Sequence, residues 1–336
     1  MKGCKTLVIG PAWLGDVVMA QALVKTLVAQ QCVVDMSSPS WCHPVLARMP
    51  EVSQAIALDL PRNQCAWRQW RAYGKQFKQH GYDQVFVLPN TWKSAFIAWS
   101  AGIKRRVGWV GEQRWGLLND IRRLDIQKWP NMVQRYVALA HDAHWCGEDY
   151  PRPRLQVDQA AIPTILARHQ RTLPQQPVVI LCPGAAFGVT RRWPVNYFAT
   201  IANRFIEQGK QVWLYGSHKE QPLAEQIQVL TQGRCVDFTG LALDQAIDLM
   251  SLADLVVSND SGLMHVAAAL DIPTIVIYGS TAPDYTFPLT DRAHMLIERL
   301  ACQPCFRKTC RYGHLACLNR ITPDQVLRVA DESFIG

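Results

Sequence analysis

Thr6-Leu-Val-Ile-Gly10-Pro-Ala-Trp-Leu-Gly15-Asp16 reads as a buried strand, a glycine-turned loop and a carboxylate at the first turn of a helix. From Asp16 to Gln30, Val17, Ala20, Leu23, Val24 and Leu27 recur at helical spacing, and Cys32-Val-Val-Asp-Met36 follows as the next strand. Strand, helix and strand in that order make a parallel β-α-β unit. Val85-Phe-Val-Leu-Pro89 and Arg106-Val-Gly-Trp109 continue the series.

The pattern restarts after residue 160. Glu148-Asp-Tyr-Pro-Arg-Pro-Arg154 is polar and proline-rich, as the approach to a linker would be. Pro177-Val-Val-Ile-Leu-Cys182, Gln211-Val-Trp-Leu-Tyr215, Leu255-Val-Val-Ser258 and Thr274-Ile-Val-Ile-Tyr278 form a second set of strands. Thr322-Pro-Asp-Gln325 is a capping box with proline at the first helical position, and it opens a last helix. The chain has 336 residues, and a single core rarely grows beyond roughly 250–300. The expected class is therefore α/β, with two Rossmann-like β/α/β domains facing a central cleft. They are expected over residues 1–165 and 166–322, with a C-terminal helix over 323–336 that has the option of packing back on the first domain. Open α/β sheets bind ligands beyond the C-terminal ends of their strands.

Apolar residues make up 49% of the chain and charged residues 18%, which suits a folded protein rather than a disordered one. No uninterrupted apolar run reaches the ~18 residues of a membrane-spanning helix. The opening residues lead into a short apolar run closed by Gly10-Pro11, a strand rather than a signal peptide, so a cytoplasmic protein is expected. The eleven cysteines then read as mostly free thiols. Residues 1–158 carry 20 Lys and Arg against 12 Asp and Glu, whereas residues 159–336 carry 15 of each. The whole excess lies in the first half, densest between Arg62 and Arg135. It reads either as a solubilising surface or as a face for an anionic partner such as phosphorylated lipid, a membrane surface or nucleic acid.

Several loops carry candidate chemistry. The Gly10–Asp16 loop matches neither the dinucleotide fingerprint nor the Walker loop, so Asp16 reads either as an acid complementing the helix dipole or as a general base. In Ser258-Asn-Asp260-Ser261-Gly262-Leu263-Met264-His265, Asp260 or Ser261 can cap the next helix. The backbone N–H groups of Gly262, Leu263 and Met264 would then point out of its end, where a diphosphate can sit. His265 is either a contact at that site or a core histidine. Arg191-Arg192 follows a glycine-containing loop and suits phosphate clamping. Glu220 closes a Ser217-His-Lys-Glu220 capping box or, alternatively, contacts a ribose. Cys302, Cys305, Cys310 and Cys317 lie within 16 residues. They could close a structural zinc site, although the spacing is no standard finger; free or redox-active thiols are the other reading. No D-x-D pair and no H-E-x-x-H occurs.

The residues quoted above resemble the lipopolysaccharide heptosyltransferases of glycosyltransferase family 9, and most resemble the second heptosyltransferase. The resemblance rests on Leu7 to Met19, Arg48-Met-Pro-Glu-Val52, Val87-Leu-Pro-Asn90, Gly116-Leu-Leu-Asn-Asp120, Cys182-Pro-Gly-Ala185, Arg192-Trp-Pro194 and Asn259 to Leu270, nearly the length of the chain. It implies a GT-B fold and inverting transfer of heptose from ADP-heptose to the heptosyl-Kdo2-lipid A inner core, with no metal or other cofactor required. It also implies a cytoplasmic enzyme at the inner face of the inner membrane that binds no nucleic acid. By position, Asp16 matches the family's base, Asp260 an aspartate facing the donor sugar, and Ser261, Gly262 and Leu263 the diphosphate-binding turn. Glu220 matches the nucleoside contact, and Arg191 stands where relatives carry a lysine. The basic first domain would meet the lipid A acceptor, with Arg62, Arg68, Arg105 and Arg122 as candidate contacts. The alternatives are transfer of another heptose, use of a different nucleotide sugar, or, outside enzymes, a zinc-containing nucleic-acid-binding module.

Overall fold

The computed structural model describes residues 3–60, 66–142 and 144–335, with side chains through residue 332. The chain divides into two units, Met1–Pro153 and Arg154–Gly336.

The first unit runs β1 (Cys4–Ile9), α1 (Leu14–Ala29), β2 (Cys32–Ser38), α2 (His43–Leu46), β3 (Val52–Ala57), α3 (Trp67–Gln79), β4 (Gln84–Val87), α4 (Trp92–Ser100), β5 (Arg105–Trp109), β6 (Asp120–Arg122) and α5 (Met132–Val137). Its six strands pair in the order β3-β2-β1-β4-β5-β6, all parallel. Leu7, Ile9, Val85 and Val87 meet Ile97, Ala98, Phe77 and Trp70 in one apolar cluster. Gly10 ends β1 so close to β2 that its N–H donates to Ser37 O at 2.7 Å, and a Cβ there would lie 2.8 Å from the same oxygen. Only glycine lets the chain leave the strand at that point.

The second unit runs α6 (Ile162–Arg168), β7 (Val178–Cys182), α7 (Val195–Glu207), β8 (Gln211–Leu214), α8 (Gln221–Leu230), β9 (Val236–Asp237), α9 (Leu243–Met250), β10 (Leu255–Asn259), α10 (Gly262–Ala269), β11 (Thr274–Tyr278), β12 (Ala293–Ile297), α11 (Ala316–Asn319) and α12 (Pro323–Ile335). The strand order is β12-β11-β10-β7-β8-β9, again all parallel. Read from the other edge it repeats the order of the first sheet. In both, successive strands are added toward one edge from the first to the third and toward the other from the fourth to the sixth, so the first and fourth are neighbours at the centre. The β7, β10 and β11 side chains are buried throughout, as strands covered by helices on both faces must be.

The segment before β7 belongs to the second unit. Leu155 N donates to Ala269 O at 3.1 Å, Asp158 N to Asp248 Oδ1 at 2.9 Å, and α6 packs on α9. The unit therefore begins ahead of the expected passage at 165/166. Helix α12 lies against α7 and β11, with Val326 and Ala330 fully buried. Among the described residues no helix is long and apolar enough to cross a membrane.

Candidate functional site

In a parallel sheet every loop that leaves a strand's C-terminal end reaches the same edge. In the first unit that edge carries the β1–α1 loop. Helix α1 begins at Leu14, two residues ahead of the expected start, with Trp13 at its N-cap in extended backbone and no side-chain cap. Asp16 is thus the third helical residue, half-buried, with its carboxylate in the first turn where the helix dipole favours negative charge.

The corresponding edge of the second unit gathers more candidates. Ser261 takes the N-cap position of α10 but its side chain caps nothing; its Oγ lies 3.3 Å from Ser258 Oγ. The first-turn N–H groups of Gly262 and its neighbours are therefore left without a side-chain acceptor. Asp260 does not cap either. It is buried, accepts a hydrogen bond from Thr281 Oγ1, and pairs with Arg191 Nη1 at 3.3 Å. Burial raises the Asp260 carboxyl above its ordinary pKa, while Arg191 and the Thr281 hydroxyl pull it back.

Arg191 reaches this point from the loop after β7. Its guanidinium stacks 4.2 Å from the centre of the Phe187 ring, and its Nε is buried with no hydrogen-bond partner among the described residues. Asn259 ties the two loops together: its Nδ2 donates to Pro183 O at 2.7 Å and its Oδ1 accepts from Trp193 N at 3.0 Å. One turn into α10, His265 is buried on the core side. Burial, helped by the charge on Arg191, lowers it to about 4, so it is neutral near pH 7.

Glu220 forms the capping box: its Oε2 accepts from Ser217 N at 2.7 Å and from Ser217 Oγ at 3.1 Å. Its other oxygen occupies the space where a Cβ on Gly184 would sit, 1.8 Å away. The carboxylate thus lies over the β7 loop with one oxygen already committed.

The candidate acceptor arginines that the structure describes are Arg68, Arg105 and Arg122. Arg68 is exposed on α3, and Arg62 lies outside the described residues. Arg105 opens β5, so it stands at the edge opposite Asp16, where it bonds Asp120 at 3.0 Å and Gln84 at 2.9 Å. Arg122 pairs with Asp120 at 3.0 Å and donates to Ala138 O and His141 O. These two guanidinia join β4, β5, β6 and the turn after α5.

The cysteine segment is stitched to the Arg191 loop. Thr190 Oγ1 donates to Arg307 O, Ser280 Oγ lies 3.1 Å from Thr190 Oγ1, and Cys305 and Phe306 N donate to Ser280 O at 3.0 and 2.8 Å. Cys302, Cys305, Cys310 and Cys317 all line one cavity of about 20 Å³. Among the described residues, however, no group of three or more His, Cys, Asp or Glu is arranged to hold a metal ion. The structure therefore gives the zinc reading no support; the four cysteines are unbridged, in a segment that braces the loop carrying Arg191. The backbone N–H of Leu315, joined by those of Tyr312, Gly313 and His314, lowers the Cys310 thiol, whereas burial pushes Cys317 up to about 11.

Sequence reasoning does not single out Phe187, Asn259 or Thr281. Asn259 sits inside the quoted motif and could have been found there. Phe187 lies four residues ahead of Arg191 in the same loop after β7, whereas Thr281 reaches Asp260 from the loop after β11.

The family model for glycosyltransferase family 9 (heptosyltransferase) matches residues 70–316. The chain is 39% identical to lipopolysaccharide heptosyltransferase 2 of Escherichia coli and 40% identical to the protein of the same name from Salmonella typhimurium, each alignment covering 96% of both chains. The solved structure of the ADP-heptose LPS heptosyltransferase II of Escherichia coli matches with a TM-score of 0.88 at 38% identity, covering 98% of each chain.

Proposed function

The chain belongs to glycosyltransferase family 9, and from that membership we propose that it transfers a heptose from ADP-heptose to the heptosyl-Kdo2-lipid A inner core of lipopolysaccharide. It is a glycosyltransferase with two Rossmann-like domains of the GT-B type. The observation that carries the substrate assignment is near-full-length similarity, 39% and 40% identity, to relatives named lipopolysaccharide heptosyltransferase 2.

In this reading the second unit binds the donor. The free first-turn N–H groups of α10, with Arg191 beside them, receive the diphosphate. Asp260, held by Arg191 and Thr281, faces the sugar, and Glu220 approaches the nucleoside. Asp16 of the first unit takes the proton from an acceptor hydroxyl as its oxygen attacks the anomeric carbon. ADP leaves from the opposite face, so the configuration inverts. The charge that develops on the diphosphate is met by Arg191 and the α10 amides, which lets the transfer run without a metal. The acceptor is lipid-linked, so the enzyme works from the cytoplasmic side at the inner membrane.

The test is turnover of ADP-heptose with purified lipid A core acceptors bearing zero, one or two heptoses. Product with the one-heptose acceptor alone is expected. Product only with the heptose-free acceptor would assign the first heptose instead, and no product with any acceptor would overturn the reading.

A further inference from the structure

The five exposed tryptophans, Trp13, Trp41, Trp67, Trp99 and Trp115, all lie in the first unit; the second unit's two, Trp193 and Trp213, are buried. Two of the five belong to a continuous aromatic strip across α3 and α4. The Trp67 ring lies 5.1 Å from both Trp92 and Phe96, Trp92 stacks on Phe96 at 5.2 Å, and Phe96 lies 5.7 Å from Trp99. Trp92, Phe96 and Trp99 follow one another at helical spacing on α4. Trp67 and Trp99, at the two ends, are each 49% exposed. The strip thus presents contiguous aromatic surface to solvent rather than single scattered side chains.

Basic residues flank the strip. Helix α3 carries Arg68, Arg71, Lys75 and Lys78, all exposed, and neither α3 nor α4 contains an acidic residue. At about 100° per residue, Trp67, Arg71, Lys75 and Lys78 fall within roughly 80° of one another. They lie beside the buried stripe of Trp70, Gly74 and Phe77, on the side that meets α4. Acids close to these helices in the chain or in contact with them are engaged: Asp59 accepts from Ser40 N at 2.8 Å and Ser40 Oγ at 3.1 Å, Asp83 accepts from Lys5 N at 2.8 Å, and Glu112 accepts from Trp92 N at 2.7 Å. Tyr73 and Gln69, on the other flank of α3, are the residues that reach Asp59.

We infer that the α3–α4 face of the first unit docks on an anionic phospholipid bilayer, Trp67, Phe96 and Trp99 entering the headgroup level and Arg71, Lys75 and Lys78 pairing with lipid phosphates. Indole is suited to that depth, apolar in its body and polar at its N–H. Lys78 lies about 16 Å along the helix from Trp67. A basic row of that length, fringed by aromatic rings, fits a planar array of headgroups better than one small anion. The N-termini of α3 and α4 follow β3 and β4, so one end of the strip lies at the sheet edge that carries Asp16. Docking there brings a bilayer-held acceptor toward that edge. In this last respect the inference rests on the proposed function; the docking itself does not.

The test is co-sedimentation of the full-length protein with phosphatidylglycerol-containing vesicles and with pure phosphatidylcholine vesicles, together with turnover on a vesicle-borne and on a deacylated, soluble acceptor. The protein is expected to pellet with the anionic vesicles only, and less as salt rises. R71Q/K75Q/K78Q, which changes only exposed side chains, is expected to weaken partition about a hundredfold at low salt. It should lower turnover on vesicles while leaving turnover on the soluble acceptor unchanged. W99A, checked for folding by circular dichroism, should weaken partition as well. The inference is overturned if the wild type stays in the supernatant, pellets equally with neutral vesicles, or is matched by the triple variant. Equal loss of turnover on the soluble acceptor also overturns it, because the residues would then bind the acceptor itself. Salt-sensitive pelleting with no transfer to any acceptor would leave the docking surface standing and remove the proposed function.

Discussion

Asp16 stands at a position where a carboxylate stabilises a helix whatever else it does, so its role has to be separated by the kind of loss its removal causes. As a dipole partner alone it contributes about 0.3–1 kcal/mol of stability and nothing to turnover. As the base it contributes about 10²–10⁴-fold in rate. We expect Asp16→Asn to lower kcat by that larger factor while ADP affinity, measured by calorimetry, stays at the wild-type value; a variant that is merely less stable but turns over normally would assign Asp16 to the helix alone. His265 gives a second residue-scale prediction. Its value falls from 6.5 to about 4 on folding, so between those values the unfolded chain binds the extra proton and stability drops as pH falls. The loss grows to about 3 kcal/mol by pH 4. Asp260, whose pKa is raised, acts in the opposite sense, its cost appearing as pH rises. The difference between wild type and His265→Gln therefore isolates the histidine: urea midpoints near pH 7 and pH 5 should fall further apart in the wild type. Asp16 and Asp260 were legible in the sequence because each lies where an apolar strand passes into a helix. Thr281 was not, because a side chain that touches Asp260 from another loop leaves no local pattern; Phe187 was not, because a ring four residues from an arginine in an irregular loop has no periodicity to read.

At the scale of elements, the strands read correctly from sequence are those at the sheet centres. Thr6–Gly10, Val85–Pro89, Pro177–Cys182 and Thr274–Tyr278 are apolar runs because helices cover both of their faces. The strands not read, β3, β6, β9 and β12, are the four sheet edges. An edge strand has one neighbour and is partly exposed, so Val52-Ser-Gln-Ala-Ile-Ala57 and Asp120-Ile-Arg122 carry too little apolar signal to stand out. Arg105 and Arg122 look like free charges in sequence, yet both close on Asp120 at the β5–β6 edge. The last capping box, by contrast, formed as read: Thr322 N donates to Gln325 Oε1 at 2.7 Å. Capping and packing can be weighed against each other in this segment. Thr322→Ala should cost about 1 kcal/mol, while Leu318→Ala, which opens a cavity in a fully buried site of the second core, should cost about 2–5 kcal/mol. Chemical denaturation monitored by circular dichroism would rank the two, and equal costs would mean that the C-terminal segment is held by its cap rather than by its contacts with the core.

At the scale of the whole molecule, each unit has its own strand order, its own core and its own edge of candidate site residues. The second unit contains everything proposed to hold the donor, including the cysteine segment that braces the Arg191 loop and α12 packed on α7. Among the described residues its six strands form one sheet of their own. Residues 154–336 expressed alone should therefore fold, as a domain of this size with a complete core can, and should bind ADP with an affinity close to that of the full chain. The same piece carrying Arg191→Ala should bind ADP more weakly, because a cation next to the α10 amides is lost. Neither should transfer heptose, since Asp16 is absent. Calorimetric titration with ADP reads all three. A folded second unit that fails to bind ADP would mean that the first unit supplies part of the nucleotide site, and the division of labour inferred from the lopsided charge would have to be redrawn.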